Sequence, residues 1–220
     1  MTQKRYQAAI FDLDGVIADT ARFHYLAWKD LADRLGFPFT EQDGEGIKGV
    51  ARLEALEIVL RAGGMETRFT PEEKERMAQE KNDLYRSHIS ALDETALLPG
   101  TYSLLPELRR RGVKIGLGSA SKNARMILEA TQIFDLFDAI ADGTRAQKAK
   151  PDPEVFLIAA HDLGVSPAGC VVFEDAFSGI EAAHNAGMFA LGIGTRENLP
   201  NADAVVKNLA AFNPDMLFKS

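Results

Sequence analysis

A single cysteine, Cys170, in 220 residues leaves no disulfide framework within one chain. It opens an apolar run with Val171, Val172 and Phe173, so it reads as a buried structural thiol. No apolar run is long enough to span a bilayer, and no secretory h-region follows residues 1–6. Positive charge is in deficit: the formal net charge is -7, which argues against nucleic acid or an anionic membrane as the main partner. A few local cations would still suffice to capture a small phosphorylated ligand. Internal repeats, low-complexity tracts and charge blocks are also lacking, and the apolar and charged fractions are those of a soluble globular protein. A cytoplasmic enzyme or binding protein is expected.

The chain does have a short apolar run, residues 8–11, that ends in Asp12, Leu13, Asp14 and Gly15. The run predicts a buried parallel strand, and the C-terminal ends of such strands are where open α/β sheets place their chemistry. Two carboxylates there can bind a hard cation, and one can attack an electrophile. Taken alone, the motif reads equally well as a solvated strand-end turn.

From Gly112 onward, short apolar runs alternate with helix-like segments. Strands are expected over 113–118, 139–141, 170–173 and 189–193, and helices over 123–131, 153–163 and 177–186. Asp152 is the expected cap of a helix with Pro153 at its first position, and Gly187 the expected stop after residue 186. This alternation predicts a parallel sheet covered on both faces. The interval between the first two strands is about a hundred residues, far beyond an ordinary βαβ crossover. It is helical in pattern over 20–35, 52–60 and 71–89, the last opening on Thr70-Pro71-Glu72-Glu73. The expected fold class is α/β, a Rossmann-like parallel sheet core with an inserted all-helical cap domain. Residues 1–16 and 97–220 form the core and 17–96 the cap, with linkers over 15–19 and 91–100. An insert leaving beside Asp12 and Asp14 would sit over them as a lid; the alternative is a second domain unrelated to the site.

If the strands are parallel, Asp12, Asp14, Ser119, Glu174 and Asp175 lie on one edge of the sheet, and Lys150 precedes a helix at the same edge. So many carboxylates would raise one another's pKa unless a cation is present. Mg²⁺ takes one or two carboxylates with phosphate oxygens and water, while a hydroxyl at Ser119, backbone N–H groups and the Lys150 ammonium would hold the remaining phosphate oxygens. Each residue has a plainer reading. Ser119 reads as a helix cap, Lys150 as a surface lysine and Glu174-Asp175 as a polar turn. The joint ordering favours phosphoryl transfer.

In that order the residues resemble the haloacid dehalogenase-like phosphotransferase superfamily. Asp12-Leu13-Asp14-Gly15-Val16 resembles its first motif, Ser119 the second, Lys150-Pro151 the third and Glu174-Asp175 the fourth. The resemblance implies that Asp12 is a transiently phosphorylated nucleophile and Asp14 the general acid/base. It implies Mg²⁺ held by Asp12, the Asp14 backbone carbonyl, Asp175 and, directly or through water, Glu174. The insert resembles that of the β-phosphoglucomutases in Asp19-Thr20-Ala21, His24, Trp28, Lys48-Gly49-Val50 with Arg52, and Lys81-Asn82-Asp83. The core loop Ser119-Ala120-Ser121-Lys122-Asn123 matches as well. By that resemblance Arg52, Ser121, Lys122 and Asn123 grip the non-reacting phosphate. Lys48, Gly49, Val50, Ala51, His24, Trp28 and Ala120 contact the sugar or its phosphates, with Lys81 and Asp19 helping His24 hold a closed state. Thr20, Ser119 and Lys150 stabilise the transferring group. Ala51 stands where a serine is common, and Phe177 replaces a more usual polar residue. His24 also reads as a structural histidine, Trp28 as cap packing, and Arg52 as an ordinary helix-start cation that the macrodipole disfavours. The implied function is isomerisation of a β-glucose phosphate between C1 and C6 by a monomer. The alternatives are a sugar-phosphate phosphatase and a non-enzymatic sugar-phosphate sensor.

Overall fold

The computed structural model describes residues 6–219, so the leader reading of the first five residues lies outside it. Strand β1 (Ala8–Phe11) is followed by the helices α1 (Ala21–Leu35), α2 (Glu41–Glu45), α3 (Arg52–Ala62), α4 (Pro71–Ile89) and α5 (Thr101–Arg110). Alternation then begins with β2 (Lys114–Gly118), α6 (Ala124–Ala130), β3 (Ala139–Ala141), α7 (Glu154–Leu163) and β4 (Cys170–Glu174). It ends with α8 (Phe177–Asn185), β5 (Phe189–Ile193) and β6 (Ala204–Val206). The six strands form one parallel sheet in the order β3-β2-β1-β4-β5-β6. Strand order reverses between β1 and β4, and the crevice at such a switch point is where open α/β sheets bind ligands.

Apart from Lys114 at the start of β2 and Glu174 at the end of β4, the strands are apolar because both faces are covered. Ala9, Phe11, Ile115, Leu117, Val171 and Phe173 pack on one side with α5 and α6. Ala8, Ile10, Cys170 and Val172 pack on the other with α7 and α8. Gly118 in β2 allows α7 to approach, since a Cβ there would lie 2.5 Å from the Phe156 ring. Cys170 is fully buried, as expected of a structural thiol.

The helical insert has a core of its own. Trp28 and Leu31 of α1, Leu56, Val59 and Leu60 of α3 and Ala78 of α4 pack together with Phe39 from the α1–α2 connection. Each fully buried Leu or Val there contributes roughly 1.5–3 kcal/mol. Thr70 and Glu73 form the expected capping box on α4, with N–H to oxygen distances of 3.3 and 2.8 Å and Pro71 in the first turn. The chain enters and leaves the insert side by side: Asp19 N–H donates to Ala96 O at 2.8 Å, and Leu98 N–H to Ile17 O at 3.0 Å.

Several local readings shift. Helix α7 starts at Glu154 with Pro153 in the capping position, and Asp152 Oδ1 accepts from Glu154 N–H at 3.0 Å. The cap residue is therefore one place later than expected, although Asp152 still satisfies a first-turn donor. Helices α2 and α5 and strand β6 were not anticipated. Helix α2 buries only Gly44 and shows no apolar period, α5 carries Pro106 inside it, and β6 is a half-buried edge strand of three residues. No helix among the described residues is long and apolar enough to cross a membrane.

Candidate active site

Asp12 is the first residue beyond β1, and its N–H donates to Phe173 O at 2.9 Å, fixing it beside the end of β4. Glu174, the last residue of β4, is fully buried rather than part of a solvated turn. Lys150 is also buried, not a surface lysine: Nζ lies 2.5 Å from Asp12 Oδ1 and 3.4 Å from Glu174 Oε2. Burial alone would lower the Lys150 pKa. Asp12 and Glu174 outweigh it and hold the ammonium protonated.

Asp12, Glu174 and Asp175 each offer a carboxylate oxygen, all within 4.8 Å of one another. Burial, reinforced by the Asp12 charge, pushes Glu174 and Asp175 above the usual carboxylate range. Glu174 Oε1 is buried with no hydrogen-bond partner among the described residues. The backbone closes in around these groups. A Cβ on Gly15, where φ is +86°, would meet Asp175 Oδ2 at 2.3 Å, and one on Gly179 would meet Glu174 Oε1 at 1.8 Å. A crowded, all-oxygen donor set with an orphaned carboxylate oxygen fits a hard divalent cation.

Asp14 turns toward the insert. Its Oδ1 accepts from Thr20 Oγ1 at 2.6 Å and from Tyr85 Oη at 3.5 Å, with His24 Nε2 3.7 Å away. Burial, then the Asp12 charge, raises Asp14 to about 6, so it can carry a proton near neutral pH. His24 stacks on Tyr85 with ring centroids 3.9 Å apart, and its Nδ1 lies 2.8 Å from Lys81 Nζ. Burial, then Lys81 and Arg52, lowers the His24 pKa and keeps the imidazole neutral. While Lys81 is an ammonium it only donates, so Nδ1 accepts and the ring proton sits on Nε2 facing Asp14. Lys81 itself is lowered to about 7 by burial and then by Arg52.

A cavity of about 950 Å³ lies between sheet edge and insert. Asp12, Asp14, His24, Trp28, Lys48, Gly49, Val50, Ala51, Arg52, Ala120, Ser121, Lys122, Asn123 and Lys150 all border it. Thr20, Lys81 and Ser119 stand buried behind these wall residues. Ser119 does not cap α6: its Oγ accepts from Ser121 N–H at 3.1 Å, and Ser121 Oγ accepts from Asn123 N–H at 3.2 Å. Lys48 reaches from the insert to within 3.6 Å of Asp175 Oδ2, and Ser178 Oγ donates to Lys48 O at 3.3 Å. Arg52 Nη2 donates to Asn82 Oδ1 at 2.8 Å, and Asn123 Nδ2 donates to the same oxygen at 3.0 Å.

A family model described as haloacid dehalogenase-like hydrolase matches residues 6–187. The chain belongs to that family. It is 46% identical to the β-phosphoglucomutase of Bacillus subtilis strain 168 over 96% of this chain and 93% of the relative. A crystal structure of β-phosphoglucomutase from Clostridium difficile superposes with a TM-score of 0.91 at 44% identity, covering 94% of this chain and 93% of that one. A phosphorylated carbohydrates phosphatase of Thermotoga maritima is 34% identical over 83% of this chain and 82% of its own length. The haloacid dehalogenase-like fold, a parallel sheet with a helical cap, is therefore the fold of this chain.

Within this family member one expected contact is absent. Asp19 pairs with Arg22 at 3.3 Å near the surface and does not reach His24. Trp28 packs in the insert's core, borders the cavity and places its ring 4.6 Å from Lys81 Nζ. The sequence motifs assign no role to Tyr85 and include Asn82 only within Lys81-Asn82-Asp83. The signal was present in helical spacing. Ala78, Lys81, Asn82, Tyr85 and Ile89 form the buried stripe of α4, so polar residues on a face otherwise reserved for apolar ones marked the site.

Proposed function

We propose that this phosphotransferase interconverts β-D-glucose 1-phosphate and glucose 6-phosphate through β-glucose 1,6-bisphosphate. One observation carries the reading: a second anion grip, Arg52 with the Ser121-Lys122-Asn123 loop, faces the same cavity as Asp12 and Asp14. Arg52 is half-buried, and among the described residues its side chain hydrogen-bonds only to a neutral amide oxygen. A hydrolase acting on one phosphate does not need such a grip, whereas an enzyme that must hold a bisphosphate in either orientation does.

In this reading the C6 hydroxyl of β-glucose 1-phosphate attacks phosphorylated Asp12, and the Asp14 carboxylate takes the hydroxyl proton. The bisphosphate then reverses in the cavity. A carboxylate oxygen of free Asp12 attacks the C1 phosphorus, and Asp14 returns its proton to the departing C1 oxygen. Glucose 6-phosphate leaves, and Asp12 is phosphorylated again. Lys150 offsets charge on the transferring group, and closure of the helical insert (residues 17–96) over the core (1–16 and 97–220) keeps water from the aspartyl phosphate. Asp12, Glu174, Asp175 and the Asp14 backbone carbonyl would hold Mg²⁺, which supplies Lewis-acid charge neutralisation at the phosphoryl oxygens. Thr20 holds the Asp14 carboxyl in line, and Ser119 shapes the phosphate loop. A cytoplasmic monomer suits the negative net charge, the buried lone thiol and a lid that must open.

The second reading is a sugar-phosphate phosphatase, favoured by the 34% identity to the Thermotoga phosphatase. Purified protein, Mg²⁺, β-glucose 1-phosphate and a trace of the 1,6-bisphosphate separate the two. Glucose 6-phosphate without free phosphate is expected. Free phosphate as the main product would overturn the mutase.

A further inference from the structure

We propose that Asn82 is a positioning residue that joins insert to core at the far end of the cavity. Its side-chain carbonyl clasps Arg52 of α3 and Asn123 of the core loop, setting both donors for the non-reacting phosphate of a hexose bisphosphate. The inference rests on the reading of the distal grip given above.

The geometry assigns the roles. Arg52 Nη2 and Asn123 Nδ2 stand 2.8 and 3.0 Å from one oxygen of Asn82. A guanidinium has no acceptor, so the Asn82 amide must turn its carbonyl toward Arg52. That choice obliges Asn123 to approach the same oxygen with its NH₂ group and leaves the Asn123 carbonyl turned elsewhere. One oxygen thus orders two side chains from separate parts of the chain. Asn82 is only 7% exposed, so water does not compete freely for that oxygen. Arg52 spends one of its five N–H donors on the clasp and keeps the others for an anion.

Charge explains why the acceptor is neutral. Arg52 is lowered by burial, which the Asp83 charge offsets only in part, and Lys81, one residue before Asn82, is lowered by burial and by Arg52. These two cations repel each other, and a phosphate would relieve both. A carboxylate in place of Asn82 would neutralise Arg52 from inside the protein and compete with the ligand. A neutral carbonyl orients the guanidinium without consuming its charge.

The test uses the full chain with Mg²⁺ and β-glucose 1-phosphate. It measures kcat/KM for β-glucose 1,6-bisphosphate, reading glucose 6-phosphate and free phosphate together. Acetyl phosphate, which lacks a distal phosphate, is the comparison substrate. Asn82→Ala is expected to lower kcat/KM for the bisphosphate by about ten-fold, mainly through KM, and several-fold less for acetyl phosphate. In an Arg52→Ala background the same change is expected to cost several-fold less than in the parent, because only the Asn123 half of the clasp is left to lose. Asn82→Asp keeps the shape and the acceptor, so it carries the test even if the alanine variant does not fold. It should also lose on the bisphosphate, since its charge neutralises Arg52. Equal losses on both substrates, no loss in either variant, or full additivity with Arg52→Ala would overturn the clasp. The partition between glucose 6-phosphate and free phosphate judges the mutase reading separately, because the cycle of substitutions is read on the sum of the two products.

Discussion

The sheet edge and the helical insert both bury cations, but only the sheet edge buries their counterions. Lys150 lies against Asp12 and Glu174 and stays protonated. In the insert, burial lowers Arg52 despite the Asp83 charge, and burial and then Arg52 lower Lys81 despite Asp14. The sheet edge gathers buried carboxylates that suit a metal cation; the insert's inner wall gathers Lys81 and Arg52, which suit an anion. A ligand with phosphate at both ends satisfies the two surfaces together, and either surface alone is electrostatically incomplete. Burial of unmatched charge is costly, so the insert's arrangement sacrifices stability for binding.

The largest way to break this contrast is at the sheet edge. Asp12→Asn removes the nucleophile while keeping the side chain's shape, and should lower turnover by roughly 10⁴-fold or more, measured as glucose 6-phosphate formation. A smaller loss would mean that Asp12 is not the phosphoryl acceptor. Lys150→Met comes next. It leaves Asp12 and Glu174 as unpaired buried carboxylates and should destabilise the fold by about 3–5 kcal/mol in urea titration. Added Mg²⁺ should recover part of that loss; unchanged stability would show that Lys150 is not the counterion the carboxylates depend on.

The same type of substitution in the insert should have the opposite sign. Burial, then Arg52, lowers Lys81 from the ordinary lysine value of 10.5 to about 7 in the folded protein. Above about pH 10.5 it is neutral in both states and burial of charge costs nothing. As pH falls toward 7, the unfolded chain takes up the proton first and the folded state loses stability relative to it. Below 7 the penalty is complete. Lys81→Met should therefore stabilise the ligand-free protein below neutral pH, on the order of a few kcal/mol. The gain should shrink steadily between pH 7 and 10.5 and be absent above that range, while mutase turnover falls. Urea titrations across pH would check it, and a gain independent of pH would show that packing rather than charge is responsible.

This contrast also explains what could be read beforehand. Strands β1, β2, β4 and β5 were legible because burial on both faces demands unbroken apolar runs. The chemistry at their ends was legible because Asp12, Asp14, Glu174 and Asp175 interrupt those runs abruptly. Helix α4 was bounded to the residue by its Thr70 capping box and by the pattern reaching Ile89. Asn82 and Tyr85 were not assigned roles, since the exposed face of α4 is strongly polar and hides polar residues on the buried one. The Asn82 contact also joins positions 41 residues apart in Asn82 and Asn123, and no local pattern encodes such a pairing. Helix α5 does carry a helical period in Thr101, Leu104, Leu105 and Leu108, but Pro106 inside it masks the signal; strand β6 is three half-buried residues at the sheet edge, too short for a period to show.

The paired linkers have a consequence for how such a molecule can be altered. Because the Asp19–Ala96 and Leu98–Ile17 hydrogen bonds tie the two crossings together, the sheet meets the insert as it would meet a hairpin loop. The ends stay closed whatever lies between them, and closure entropy grows only slowly with the length spanned. With a hydrophobic core of its own, the insert is a cassette: a different helical unit could be spliced at the same ribbon, changing the acceptor while the sheet edge kept its phosphoryl chemistry.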